Sequence, residues 1–137
     1  MPVDVFEMDL SDKAVRHAAS LAKAEGASIT LVNILPASSR SLLRGFNADI
    51  KKFEEYMTAE SGKKMNELKR LFDIAPENIH SMVRFGNVRD EIIKLSKEGK
   101  YDAIVIGSKN PSISTHLLGS NAESILRYAT ILVLVVR

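Results

Sequence analysis

At 137 residues, with 45% apolar and 26% charged side chains, the chain has the profile of a single globular domain, 1–137, large enough to bury a core without staples. Cysteine is absent, which excludes disulfides and thiolate metal sites, and no apolar run approaches the roughly 18 residues of a membrane span. The formal charge of +2 comes from basic residues scattered among acids, so no clustered basic face for nucleic acid is expected.

The three histidines, His17, His80 and His116, lie far apart without ligand-like spacing, and no metal site is expected. No basic segment followed by an apolar core opens the sequence, so the expected compartment is the cytoplasm.

In chain order, Pro2-Val3-Asp4-Val5-Phe6 reads as the tail of a short first strand running into a loop. Asp9 and Ser11 are N-cap candidates for a helix with Ala14, Val15, Ala18, Leu21 and Ala22 on one face and Gly26 as its C′ residue. Ala27 to Leu35 is a second strand, stopped by Pro36. Residues 36–47, rich in Ser and Arg, form a connection. A long helix through about residue 72 follows, with Ile50, Phe53, Met57, Met65, Leu68, Leu71 and Phe72 at helical spacing. Gly62 interrupts it at a cost of about 1 kcal/mol. Met57 and Met65 read as core filler.

Ile79 to Arg84 is a third strand, and Asn87 caps a helix with Val88, Ile92 and Leu95 facing inward, closed by Gly99. Ala103 to Ile106 is the fourth strand, residues 121–128 the final helix and Ile131 to Val136 the fifth strand. Strands alternating with helices imply a parallel sheet with right-handed crossovers, helices on both faces and ligands beyond the carboxyl ends of the strands.

The last third concentrates the chemistry. An apolar run ends at Gly107, a polar loop follows, and Gly119 stands directly before a helix start. Ser120 with Glu123 reads as a capping box, with Ala122, Ile125, Leu126 and Ala129 as the buried stripe behind it. A strand delivering a loop to a helix N-terminus is the backbone plan of a phosphate site, because exposed N–H groups and the helix dipole both favour an anion. Gly107 and Gly119 would admit phosphate oxygens close to the backbone, Lys109 would add a point charge, and Ser108 and Ser120 would add hydroxyl donors. Equally, glycines at these places serve as ordinary turn residues.

The opening Met1-Pro2-Val3-Asp4, Phe85-Gly86-Asn87 before a helix, Asp102 to Ser108, Leu117-Leu118-Gly119-Ser120 and the terminal Val133 to Arg137 resemble universal stress proteins essentially end to end. The opening through Met8 and the stretch Asn110 to Ala122 resemble the F/G branch. The resemblance implies an α/β, three-layer, doubly wound open sheet of five parallel strands in the order 3-2-1-4-5. It also implies a homodimer, and ATP, ADP or AMP held where strands one and four meet, with Mg²⁺ admitted beside ATP.

The family's nucleotide-binding motif runs glycine, two residues, glycine, nine residues, then glycine and a small hydroxyl residue. Gly107 and Gly119-Ser120 match its ends; Asn110 replaces the middle glycine, and eight residues separate it from Gly119. By position, Asp4 would bond the ribose hydroxyls, Val3 and Ile34 would pack on the adenine, and Gly107, Lys109, Asn110, Gly119, Ser120 and Asn121 would surround the phosphates. Pro2, Ile106, Ser108 and Ala122 complete the implied site.

The family's first strand begins several residues earlier, so a cropped or short first strand is expected. The family also places a proline near Leu132, absent here, which leaves Ile131, Leu132, Val133, Leu134, Val135 and Val136 as an unbroken apolar edge strand suited to pairing with a second copy. Three functions compete. The first is a homodimeric, adenylate-binding stress-response module with a further protein partner. The second is a slow ATPase or self-phosphorylating enzyme, for which neither a Gly-Lys-Ser/Thr loop nor a metal-holding carboxylate pair is seen. The third is a nucleotide-free dimer acting through protein contacts.

Overall fold

The computed structural model describes residues 1–3, 12–36, 47–107 and 119–136. In chain order these form β1 (Pro2–Val3), α1 (Asp12–Glu25), β2 (Ile29–Leu35), α2 (Asn47–Lys69), a 3₁₀ turn (Pro76–Asn78), β3 (Ile79–Phe85), α3 (Val88–Lys97), β4 (Ala103–Gly107), α4 (Ser120–Tyr128) and β5 (Leu132–Val136). The N-cap candidates Asp9 and Ser11 and most of the connection 36–47 lie outside the described residues.

Two caps come straight from residue chemistry. Gly26, at φ 61°, ends α1 in the left-handed conformation that a Cβ would oppose. The Gly26 N–H donates to Lys23 O at 3.4 Å and the Ala27 N–H to Ala22 O at 2.8 Å, the paired bonds of a Schellman motif. At the start of α3, the Asp90 N–H donates to Asn87 Oδ1 at 3.3 Å, as the N-cap reading requires.

All ladders are parallel. β1 pairs with β2 (Pro2 opposite Val32, Val3 opposite Asn33) and β2 with β3 from Ile29 opposite Ile79 to Leu35 opposite Phe85. β4 pairs with β5 from Ala103 opposite Leu132 to Gly107 opposite Val136. The expected 3-2-1-4-5 is thus present as 3-2-1 and 4-5, and no β1–β4 ladder is formed among the described residues.

Packing joins the two ladders. One core combines Ile29 and Leu31 of β2 with Val105 of β4 and Val136 of β5, beneath Ala14, Val15 and Ala18 of α1 and Met65 and Leu68 of α2. The other combines Val32 of β2 with Ile104 and Ile106 of β4, beneath Ile92 and Leu95 of α3 and Ala122 and Ile125 of α4. Along each of these strands, neighbouring residues alternate between the cores, the signature of strands covered on both faces. The result is the three-layer, doubly wound α/β architecture.

Three expected core residues do not behave as such. Met65 and Leu68 at the C-terminal end of α2 and Phe72 just beyond it are buried, whereas Phe53 in the helix and Leu71 after it are 43% and 60% exposed. A helix of 23 residues is about 35 Å long, while the seven residues of β3 span about 23 Å. The N-terminal part of α2 therefore overshoots the strands it covers, and Phe53 lies on the overhang. Met57, on the same overhang, is half-buried, and Ile50 lies outside the residues whose side chains are described. In α4, Ala122 and Ile125 are buried and Ala129 packs against the same core, but Leu126 is 48% exposed. Its neighbour Ile125 already occupies the inward position.

Candidate functional site

The carboxyl ends of the strands form one edge of the molecule. β1 reaches it with Val3, β2 with Ile34 and Leu35, β3 with Phe85, and β4 with Gly107. Gly86 continues beyond β3, its N–H donating to Leu35 O at 2.8 Å. At φ 148°, with the Glu91 side chain 3.0 Å from where a Cβ would stand, this position favours glycine on two counts.

Gly107 closes the β4–β5 ladder and is half-buried, and among the described residues no atom beyond its chain neighbours comes within 4 Å of the place its Cβ would occupy. Directly before it, Ile106 is buried. Gly119 stands at the N-cap of α4 with φ −61° and ψ 150°. Its backbone is ordinary extended chain, so the missing side chain, not conformational freedom, distinguishes glycine here.

The capping box does not form. Ser120 is the first residue of α4 rather than its cap, and the N-cap residue, Gly119, makes no side-chain cap bond. Glu123 turns outward, where Arg127 Nη2 lies 3.5 Å from its Oε1. The first-turn N–H groups of α4 therefore have no intrahelical acceptor and, among the described residues, no side-chain cap, and they carry the positive end of the helix dipole. Ser120 and Asn121 are exposed at that end, and Ala122 is buried behind them. A glycine whose Cβ place no described residue crowds and helix N–H groups that no described side chain caps are the chemistry an anionic tail requires. No group of three or more His, Cys, Asp or Glu side chains that could hold a metal occurs among the described residues.

Of the residues expected at the site, Pro2, Val3, Ile34, Ile106, Gly107, Gly119, Ser120, Asn121 and Ala122 occupy these ends of β1, β2, β4 and α4. Asp4, Ser108, Lys109 and Asn110 lie outside the described residues, as does His116. Ile34 is half-buried against the core shared by β2 and β4. The expected pairing edge is β5, Leu132–Val136 with Ile131 just before it; it pairs with β4 on one side, and Leu132 is 64% exposed.

Sequence reading passed over two supports of this edge. Asn33 Nδ2 donates to Ser61 Oγ at 2.7 Å, and both side chains are buried. This bond pins the carboxyl half of β2, which carries Ile34, to α2. An asparagine within an apolar strand was the available signal. Arg89 sits 5.7 Å from the centre of the Tyr128 ring and 2.9 Å from Asp90 Oδ1, tying the start of α3 to the end of α4. At the other end of the edge strands, the Met1 amino group donates to Thr30 O at 2.9 Å, and burial pushes its pKa down to about 5.

A model of the universal stress protein family matches residues 1–137. Universal stress protein G of Shigella flexneri is 53% identical over 137 residues, spanning 100% of this chain and 96% of that protein. Its counterpart in Salmonella typhimurium is 51% identical over the same spans. Among solved structures, universal stress protein UspA from Lactobacillus plantarum superposes with TM-score 0.76 at 18% identity, covering 99% of this chain and 94% of that one. A universal stress protein in complex with cAMP superposes with TM-score 0.62 at 22% identity, covering 100% and 93%. These two likenesses speak for the fold, and they agree with the layers described above. With a full-length family match, relatives identical at half their positions and the same architecture, the chain belongs to the universal stress protein family.

Proposed function

We propose that this chain, acting as a single domain over 1–137, is a homodimeric stress-response module whose state is set by a bound adenine nucleotide: ATP, ADP or AMP. The observation that carries the reading is the pairing of Gly107, whose Cβ place no described residue crowds, with an N-terminus of α4 that no described side chain caps. Gly107, Lys109, Asn110, Gly119, Ser120 and Asn121 surround the phosphates. Ser108, Ile106 and Ala122 back them. Asp4 accepts from the ribose hydroxyls, and Pro2, Val3 and Ile34 take the base. Mg²⁺ accompanies ATP through its phosphates. The cAMP complex of a structural neighbour, itself an adenylate, supports this ligand class.

The dimer forms along β5, whose outer edge and exposed Leu132 suit addition of a second copy. No described helix is long and apolar enough to cross a membrane, and the module works in the cytoplasm, the reducing compartment with which a cysteine-free chain agrees. Isothermal titration with ATP, ADP and AMP, with and without Mg²⁺, tests the ligand. Saturable binding of at least one is expected, and no heat from any of them rejects the reading. Mass spectrometry of ligand released from freshly purified protein then identifies which adenylate is held.

A further inference from the structure

Arg84 stands on β3 at the same edge, one residue before its last, Phe85. The β2–β3 register sets it directly opposite Ile34. Residues in register on neighbouring parallel strands project from the same face of a sheet. Met82, two residues before Arg84 and hence on the same face, packs with Ile34 against the core shared by β2 and β4. Arg84 is half-buried, yet it takes part in none of the ion pairs among the described residues. Glu91, the acid beside Gly86, does not neutralise it.

A guanidinium drawn partly out of water without a carboxylate partner is poorly satisfied by the protein alone. It has five N–H donors to offer and no acceptor. Its strand neighbour Ile34 is the residue on which the base is placed, so Arg84 lies beside the edge of that base. The phosphate end lies at β4 and α4, and β4 belongs to a different ladder from β3.

We infer that Arg84 is a specificity-determining residue that donates a hydrogen bond to a ring nitrogen on the edge of the bound purine. The inference rests on the adenylate reading and adds a base contact to it. Such a contact distinguishes a nucleotide from other polyphosphates. It leaves phosphate recognition untouched.

Titration calorimetry with ATP and with inorganic tripolyphosphate tests this on the wild-type chain and on Arg84→Met, which keeps an unbranched apolar stem and removes the donors. The expected result is about a tenfold loss of ATP affinity in the variant, with tripolyphosphate binding unchanged. Wild-type ATP affinity in Arg84→Met overturns the inference, and so does an equal loss toward both ligands, which would mean a general electrostatic effect. A second measurement needs no variant: one of 1-, 3- or 7-deaza-ATP binds the wild-type chain about tenfold more weakly than ATP, whereas equal affinity for all three overturns the contact. If wild-type protein binds no ATP at all, the adenylate reading itself fails and takes Arg84 with it. That outcome is distinct from every variant-specific one.

Discussion

Gly107 and Asn33 show how single side chains set this edge. Replacing Gly107 by Val places its Cβ where no atom of the described residues beyond its chain neighbours comes within 4 Å, so the described part of the fold has room for it. A β-branched residue also suits the end of a strand. Nucleotide affinity should therefore fall at least tenfold while unfolding free energy changes by less than about 1 kcal/mol, as calorimetry and urea titration would read. A parallel collapse of stability would mean that Gly107 is there for packing.

Ser61→Ala poses the opposite case. It strands the buried Asn33 amide, whose partner lies at 2.7 Å, and should cost about 1–3 kcal/mol in urea unfolding. Changing both members, Ser61→Ala with Asn33→Val, should cost less than the sum of the single changes, because no orphaned polar group remains.

At the level of elements, α4 separates a helical pattern from a buried one. Ile125 is fully buried and Leu126 is 48% exposed, although both were legible as members of one apolar stripe. Ile125→Ala should destabilise the protein by about 2–5 kcal/mol. Leu126→Ala should cost less than about 0.5 kcal/mol if that face meets only water, and denaturant midpoints of the two variants decide it. The same lesson holds in α2, where periodicity marks Phe53 as apolar and in phase. Periodicity says nothing about where the sheet beneath it ends. The capping box at Ser120 and Glu123 failed for a related reason. Two residue types at the right spacing satisfy the pattern, but the helix begins one residue earlier, at a backbone geometry that hands the cap position to Gly119.

For the whole molecule, the two ladders 3-2-1 and 4-5 are bound by cores that straddle them on both faces. Among the described residues β5 pairs with β4 alone. Leu132→Lys places a charge on that strand at its most exposed position. It should shift the protein from dimer to monomer in sedimentation velocity while leaving nucleotide binding intact, since Leu132 pairs with Ala103 at the opposite end of β4 from Gly107. A dimer of undiminished stability would move the interface elsewhere.

The amino-acid sequence by itself determined the succession of strands and helices, the glycine that ends α1, the asparagine that caps α3, the membership of the family and the ends of its glycine motif. Each is a local or whole-chain pattern, set by backbone sterics, hydrogen-bonding capacity and apolar period. Tertiary structure decided which apolar residues are covered, that Asn33 finds Ser61 across 28 positions, that no described residue crowds the Cβ place of Gly107, and that Arg84 stands beside Ile34. Those facts depend on the register between strands and on the length of each helix against the sheet. Both arise from contacts between segments distant in sequence, where no local pattern carries the information.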